Sequence, residues 1–143
     1  VQYLFGMPKT VNSKGIRGPS GGFDHVITDF NYNDRKIINA EASWIMPRSF
    51  GFEMSFTVIM EKATVIFSSK RSPTLQIFPE AGEPFAPSIS DVSGHMGEIR
   101  NFIEKVKGMD VPAIITPRQS LNSVRIVLAE KESAKTSREV AIL

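Results

Sequence analysis

The 143-residue chain carries 17 basic and 15 acidic side chains, a formal charge of +2, and 41% hydrophobic residues, which suffices for one core and not for two ordinary domains. The two charge signs are interspersed and the basic pair Lys70 and Arg71 falls in an expected turn, so a nucleic-acid-binding stripe is not indicated. The absence of cysteine rules out disulfides and thiolate metal sites, and no apolar run approaches the roughly 20 residues that a membrane span requires.

Residues 1–6, VQYLFG, read as the end of an apolar helix with Gly6 as its C-terminal cap, which suggests that a preceding segment has been removed. The opening residues lack the basic and apolar regions of a signal peptide, and the cytoplasm is the expected compartment. Residues 7–22 are rich in Gly, Pro, Ser and Lys and read as a connecting loop. Gly18-Pro19-Ser20-Gly21-Gly22 lacks the Gly-Lys-Ser/Thr ending of a phosphate loop. Residues 23–32 alternate, with Val26, Thr28, Phe30 and Tyr32 on one side, and Asn33-Asp34 supplies turn chemistry.

The strongest pattern is residues 37–67, where period-two alternation runs through successive segments and predicts antiparallel sheet. Ile38, Ala40, Ala42, Trp44 and Met46 share one side, and so do Phe52, Met54, Phe56, Val58 and Met60, which predicts a continuous apolar layer with Trp44 as a core anchor. The other side carries Asn39, Glu41, Ser43, Glu53, Ser55 and Thr57, with Asp29 and Asn31 from an earlier strand. A face of such acceptors without lysine or arginine is either simply solvated or a contact surface for a second sheet or a polar ligand. Strands are also expected at Thr64 to Phe67 and Leu75 to Phe78, followed by a Pro-rich loop over roughly residues 79–90.

The period then changes. Ile99, Phe102, Ile103 and Val106 form a helical stripe that Gly108 ends. Thr116-Pro117-Arg118-Gln119 combines an N-cap threonine, proline at the first helical position and a glutamine able to complete a capping box. The helix that follows has an apolar stripe of Leu121, Val124, Val127 and Leu128, with Glu130, Lys131, Glu132 and Lys135 on the solvent side, and Val140 to Leu143 can add a last strand. Residues 1–143 are therefore expected to form a single α+β domain, a two-layer sandwich with helices on one face of a mainly antiparallel, open-faced sheet.

The succession AEASW, FGFEMSFTVIMEKATV, HMGEIRNFIEKV and TPRQSLNSVRIVLAEKESA resembles the C-terminal domain of the glucose–fructose oxidoreductase, inositol dehydrogenase and MocA (Gfo/Idh/MocA) family, and the resemblance runs from about residue 1 to the end. It implies an NAD(P)-dependent sugar or polyol oxidoreductase whose Rossmann domain, Glu-Lys-Pro lysine and Asp-x-x-x-His motif would lie before Val1. NAD or NADP is then expected in the intact parent and not on this chain alone, which carries no Gly-x-Gly-x-x-Gly fingerprint and no catalytic residue of its own. The chain would contribute the substrate pocket and a homodimer or dimer-of-dimers contact through the open sheet face.

On that resemblance His95, at the start of the first long helix, aligns with a pocket tyrosine and is a candidate to hydrogen-bond a polyol or keto-sugar; without it, a lone histidine there is surface or cap. Phe50, Gly51 and Phe52 resemble a pocket-lining Tyr-Gly-Tyr strand stripped of its hydroxyls, although Phe52, as part of the apolar stripe, reads first as core. Glu41, Ser43, Ser55 and Thr57 are the expected oligomer-interface residues. Asp24 and His25 do not suggest a metal pair, because neighbours on a strand point to opposite faces. The alternative is a stand-alone, non-catalytic binding or assembly module with the same fold.

Overall fold

The computed structural model describes residues 1–89 and 93–143. The elements in chain order are α1 (Gln2–Phe5), β1 (Thr10–Arg17), β2 (Phe23–Asn31), β3 (Ile38–Ser43), a 3-10 turn (Arg48–Phe50), β4 (Ser55–Ile59), β5 (Ala63–Ser68), β6 (Leu75–Pro79), α2 (Gly94–Val106), α3 (Pro117–Thr136) and β7 (Val140–Ala141). They fall into two units, Val1–Pro47 with Ala113–Leu143, and Arg48–Pro112.

The first unit is an antiparallel sheet in the order β3-β2-β1-β7 with α3 on one face. The expected helix end at residues 1–6 is present as α1, closed by Gly6 at φ 77°, a left-handed geometry that glycine adopts without a Cβ penalty. Residues 7–22 are not a connecting loop as expected, because Thr10–Arg17 is an interior strand of the sheet. Its helix-facing side chains run Val11, Ser13 and Gly15, so apolar alternation stops after one residue. The pattern fails because hydroxyl groups fill the space that hydrocarbon usually fills.

Register fixes the core. Val11 pairs with Phe30 and Ser13 with Thr28, and Val11 and Phe30 pack with Ile126 and Ala129 of α3 as the fully buried apolar cluster. Burial of each larger member contributes about 1.5–3 kcal/mol. Beside this cluster lies a buried polar one. The Ser13 and Thr28 hydroxyls are 2.7 Å apart, the Ser13 N–H donates to Ser133 Oγ at 2.8 Å, and the Ser133 hydroxyl donates to the Arg138 carbonyl at 2.6 Å. β7 is paired only with Thr10 and Val11, so a helix hydroxyl takes up the strand N–H that lies beyond it.

α3 begins as the sequence predicts. Thr116 Oγ1 accepts from the Gln119 N–H at 3.3 Å, and Gln119 Oε1 accepts from the Thr116 N–H at 2.7 Å. Its sheet-facing residues are nevertheless Ile126, Ala129 and Ser133, while the expected stripe of Leu121, Val124, Val127 and Leu128 is 49–59% exposed. The helix is apolar on both sides. Beneath it the sheet offers Ser13 and Gly15, which favour small or hydroxyl-bearing partners over leucine.

Glu130 also departs from expectation, being half-buried and not on the solvent side. Desolvation raises its carboxyl above the usual carboxylate range, against the opposing pull of the Thr28 hydroxyl. A carboxyl raised in the folded state costs stability once pH exceeds its folded pKa, and that cost disappears as pH falls below the unfolded value. Glu130→Gln is therefore expected to be more stable than wild type near pH 7, with the difference closing towards pH 4. Urea midpoints at the two pH values check this; a variant less stable near neutrality would show that the carboxylate is favourably paired.

The second unit contains the meander β4-β5-β6. Phe56 and Val58 lie opposite Phe67 and Val65, which continue across to Leu75 and Ile77, so one face is apolar as expected. The Phe56 and Phe67 rings stack with centroids 5.4 Å apart. Two sequence expectations fail here. β3 pairs with β2 while β4 pairs with β5, so the alternation read across residues 38–60 belongs to two sheets. Trp44 is 85% exposed and is not a core anchor: its N–H continues the β2–β3 register by donating to the Asp24 carbonyl at 2.7 Å, but α3 packs on β1 and only slightly on β2, which leaves this side of the β3 edge without a helix over it.

The Pro-rich segment after β6 folds back through a two-way Ile77–Phe85 backbone bridge of 2.9 and 3.0 Å; its expected end at Ser90 lies outside the described residues. α2 starts at the Ser93 cap, whose Oγ accepts from the Met96 N–H at 3.3 Å, and is followed by Gly108 at φ 74°. Its stripe of Ile99, Phe102, Ile103 and Val106 is exposed.

Candidate functional site

The face of the first unit's sheet opposite α3 is the surface its topology leaves uncovered. The β1–β2 and β2–β3 registers place three rows across it: Asn12, Asp29 and Asn39; Lys14, Ile27 and Glu41; and Ile16, His25 and Ser43. Lys14 corrects the expectation of a face without cations. It sits in a Gly- and Ser-rich stretch that carries no apolar alternation, and its place in the middle of the sheet makes the face mixed in sign.

Within these rows His25 Nε2 lies 3.9 Å from Glu41 Oε1, with the two side chains 20% and 58% exposed. Ser43, directly opposite His25, has a buried Oγ without a hydrogen-bond partner. At the β7 end of the face the Glu139 carboxylate accepts from the Thr10 hydroxyl and, at 2.8 Å, from the Asn31 amide. These two donors, Thr10 first, hold it below the usual carboxylate range.

The glycine-rich turn between β1 and β2 does not fit a dinucleotide. It joins antiparallel strands, and the Asp24 carboxylate occupies its interior, accepting from the Ser20 hydroxyl and from the Ser20 N–H at 3.0 Å. Both contacts hold this carboxyl below its usual range. A Cβ on Gly18 would come within 2.3 Å of the Asp24 carboxylate. A fixed carboxylate where a phosphate would need N–H donors disfavours anion binding. Asp24 and His25 do point to opposite faces, and no group of three or more metal-ligating side chains occurs among the described residues.

The other sequence-derived residues are placed as follows. His95 is exposed in the first turn of α2, at the helix start expected for it. Phe50 ends the 3-10 turn, with its carbonyl accepting from Lys70 Nζ at 3.2 Å and the same ammonium 5.8 Å from its ring. Phe52 is exposed on irregular chain ahead of β4, neither in a strand nor in a buried stripe. Gly51 turns at φ 73°, and the chain reaches the β4–β5 register only at Met54, whose carbonyl accepts from the Ser69 N–H at 2.9 Å and whose N–H donates to the Ser69 hydroxyl at 3.0 Å.

Of the expected interface residues, Glu41 and Ser43 lie on β3 and Ser55 and Thr57 on β4, in different sheets. A concavity that sequence reasoning missed lies in the first unit. It is a groove of about 480 Å³ lined by Val1, Gln2, Tyr3, Ile114, Ile115 and Gln119 among others, where the Ser123 hydroxyl donates to Gln2 Oε1 at 2.9 Å. The residues involved are separated by more than a hundred positions, and no local pattern joins them. Among the described residues no helix is long and apolar enough to cross a membrane.

No family model and no curated protein matches the sequence. Solved structures do match the fold. The WlbA dehydrogenase from Bordetella pertussis, determined with NADH and UDP-GlcNAcA, is similar over 100% of this chain and 41% of its own, at 17% identity and a TM-score of 0.73. A levoglucosan dehydrogenase, determined with NADH and L-sorbose, covers 99% of this chain and 46% of its own, at 17% identity and a TM-score of 0.74. The UDP-N-acetylglucosamine 3-dehydrogenase GnnA from Acidithiobacillus ferrooxidans matches 96% of this chain and 44% of its own, at 12% identity and a TM-score of 0.75.

The chain thus has an α+β fold found in oxidoreductases, and it spans less than half the length of these solved chains. At 12–17% identity the likeness is one of fold.

Proposed function

We propose that this chain is the substrate-side and assembly portion of an NAD(P)-dependent oxidoreductase acting on a sugar or polyol, with the dinucleotide held by another part of the parent protein. The observation that carries the reading is near-complete coverage of this chain by less than half of each dehydrogenase chain, two of which were determined with NADH and a sugar-type molecule. The acidic interior of the glycine-rich turn fits the same division of labour, since that turn offers no cradle for a pyrophosphate. His95 and the Phe50 and Phe52 rings are the side chains proposed to meet the substrate, the imidazole bonding a hydroxyl or carbonyl oxygen and the rings giving an apolar wall. The cytoplasm remains the proposed compartment.

The uncovered face of β1, β2 and β3 is proposed as the dimer contact, with Glu41 and Ser43 inside it. Its acids and bases, Asp29 and Glu41 with Lys14 and His25, permit a self-complementary two-fold pairing. Ser55 and Thr57 remain proposed interface residues on β4. Arginine at Asn12 and Asn39, both exposed on that face and flanking Asp29, is expected to convert a dimer into monomer by sedimentation analysis; an unchanged mass removes this face as the contact.

The gene tests the larger reading. An in-frame upstream segment of about 150 residues with a glycine-rich strand-to-helix turn is expected. A stop codon directly upstream would leave a non-catalytic assembly module.

A further inference from the structure

We propose that pairing of these sheet faces takes up protons through His25, so that the dimer is stronger in mildly acidic than in mildly alkaline solution. The inference rests on the assembly reading above and adds what regulates that contact. Histidine is the side chain whose ordinary charge change falls near neutral pH. His25 is already largely covered, standing between Ile16 of β1 and Ser43 of β3 in register, and its Nε2 is 3.9 Å from Glu41 Oε1. That separation exceeds a hydrogen bond, and with Glu41 open to solvent the pair is screened in a lone chain.

Pairing two faces expels that water. A carboxylate left there without a cation is costly, whereas one beside an imidazolium is compensated. The charged neighbours on the face are few, and Glu139 stands at its far, β7 end, bonded to Thr10 and Asn31. Lys14 shares the Glu41 row but stands two strands away, about 10 Å at ordinary strand spacing. Asp29 lies in the next row of β2 and adds negative charge. Protonated His25 is therefore the cation of this face within one strand of Glu41, and the unpartnered Ser43 hydroxyl opposite it provides an acceptor for a second imidazolium proton. Because the charged imidazole is favoured in the pair, association weakens as pH rises through the histidine range, and a symmetric dimer counts the effect twice.

The test is the dimer dissociation constant of the complete chain by sedimentation equilibrium near pH 6 and near pH 8, at fixed ionic strength. Dimerisation about tenfold tighter at the lower pH is expected. His25→Gln should flatten the profile, and Glu41→Gln, at an exposed position, should flatten it as well. A dimer of constant strength, as would follow if the partner's Lys14 met Glu41, overturns the proton linkage and leaves the assembly reading standing. A monomer at every pH overturns both.

Discussion

Replacing Phe30 by alanine is expected to lower the free energy of unfolding by about 3–5 kcal/mol. Phe30 is 4% exposed and closes the apolar cluster formed with Val11, Ile126 and Ala129. The loss combines the transfer free energy of the ring with a cavity that the sheet and α3 cannot collapse to fill, since backbone pairing on both sides of β2 holds the walls in place. Against a usual total of about 5–15 kcal/mol the change is large. Phe102→Ala on α2 provides the contrast. That ring is exposed in the same chain, and its removal is expected to shift stability by about 0.5 kcal/mol or less. Urea midpoints for the two variants check the assignment, and equal losses would move the core away from the β1–β2–α3 contact.

The second large effect is expected at Ser133. This residue is fully buried, and its hydroxyl accepts from the Ser13 N–H while donating to the Arg138 carbonyl. Ser133→Ala removes one oxygen and leaves two backbone groups without partners, at a cost of about 2–3 kcal/mol. Removing both members of the neighbouring Ser13–Thr28 hydroxyl pair, as in Ser13→Ala with Thr28→Val, is expected to cost less, because neither member of the pair is then orphaned and the Glu130 carboxyl, which loses the Thr28 hydroxyl, is only half-buried. Thermal or urea unfolding of the two variants distinguishes a structural hydrogen bond from simple packing. A neutral Ser133→Ala would show that water reaches the Ser13 N–H.

These two residues also show why part of the fold was legible in the sequence and part was not. Phe30 belongs to an alternating run, and a strand with its inward side chain follows directly from period two. Gly6, Gly108 and the Thr116–Gln119 capping box were equally legible, since each carries local chemistry that needs no tertiary partner. Ser13 and Ser133 were not legible. They lie 120 residues apart and are complementary through hydroxyls, so neither registers as core on a hydropathy pattern, and with them β1 was lost. Losing β1 also hid Lys14 and the mixed charge of the open face.

The helices show the opposite error. In α3 the more numerous apolar residues, Leu121, Val124, Val127 and Leu128, lie on the exposed side, while the sheet packs against Ile126, Ala129 and Ser133. Trp44 keeps the alternating register but stands on an edge strand that α3 does not cover, which alternation by itself does not reveal. The candidate site inherits this division. His95 falls at a helix start as its local signals indicate, whereas the His25–Glu41 approach depends on a cross-strand diagonal that only the register reveals.

The central claim is that this chain completes an oxidoreductase whose cofactor is held elsewhere in the parent. It is tested most directly by expressing the protein from its full gene, determining its intact mass and N-terminal sequence, and titrating it with NADH and NADPH by fluorescence. The account predicts a polypeptide more than twice as long as this chain, in line with the share of each dehydrogenase that it matches, with saturable nucleotide binding that this chain alone does not reproduce. A product that starts at or near Val1 and leaves both nucleotides free in solution would contradict it.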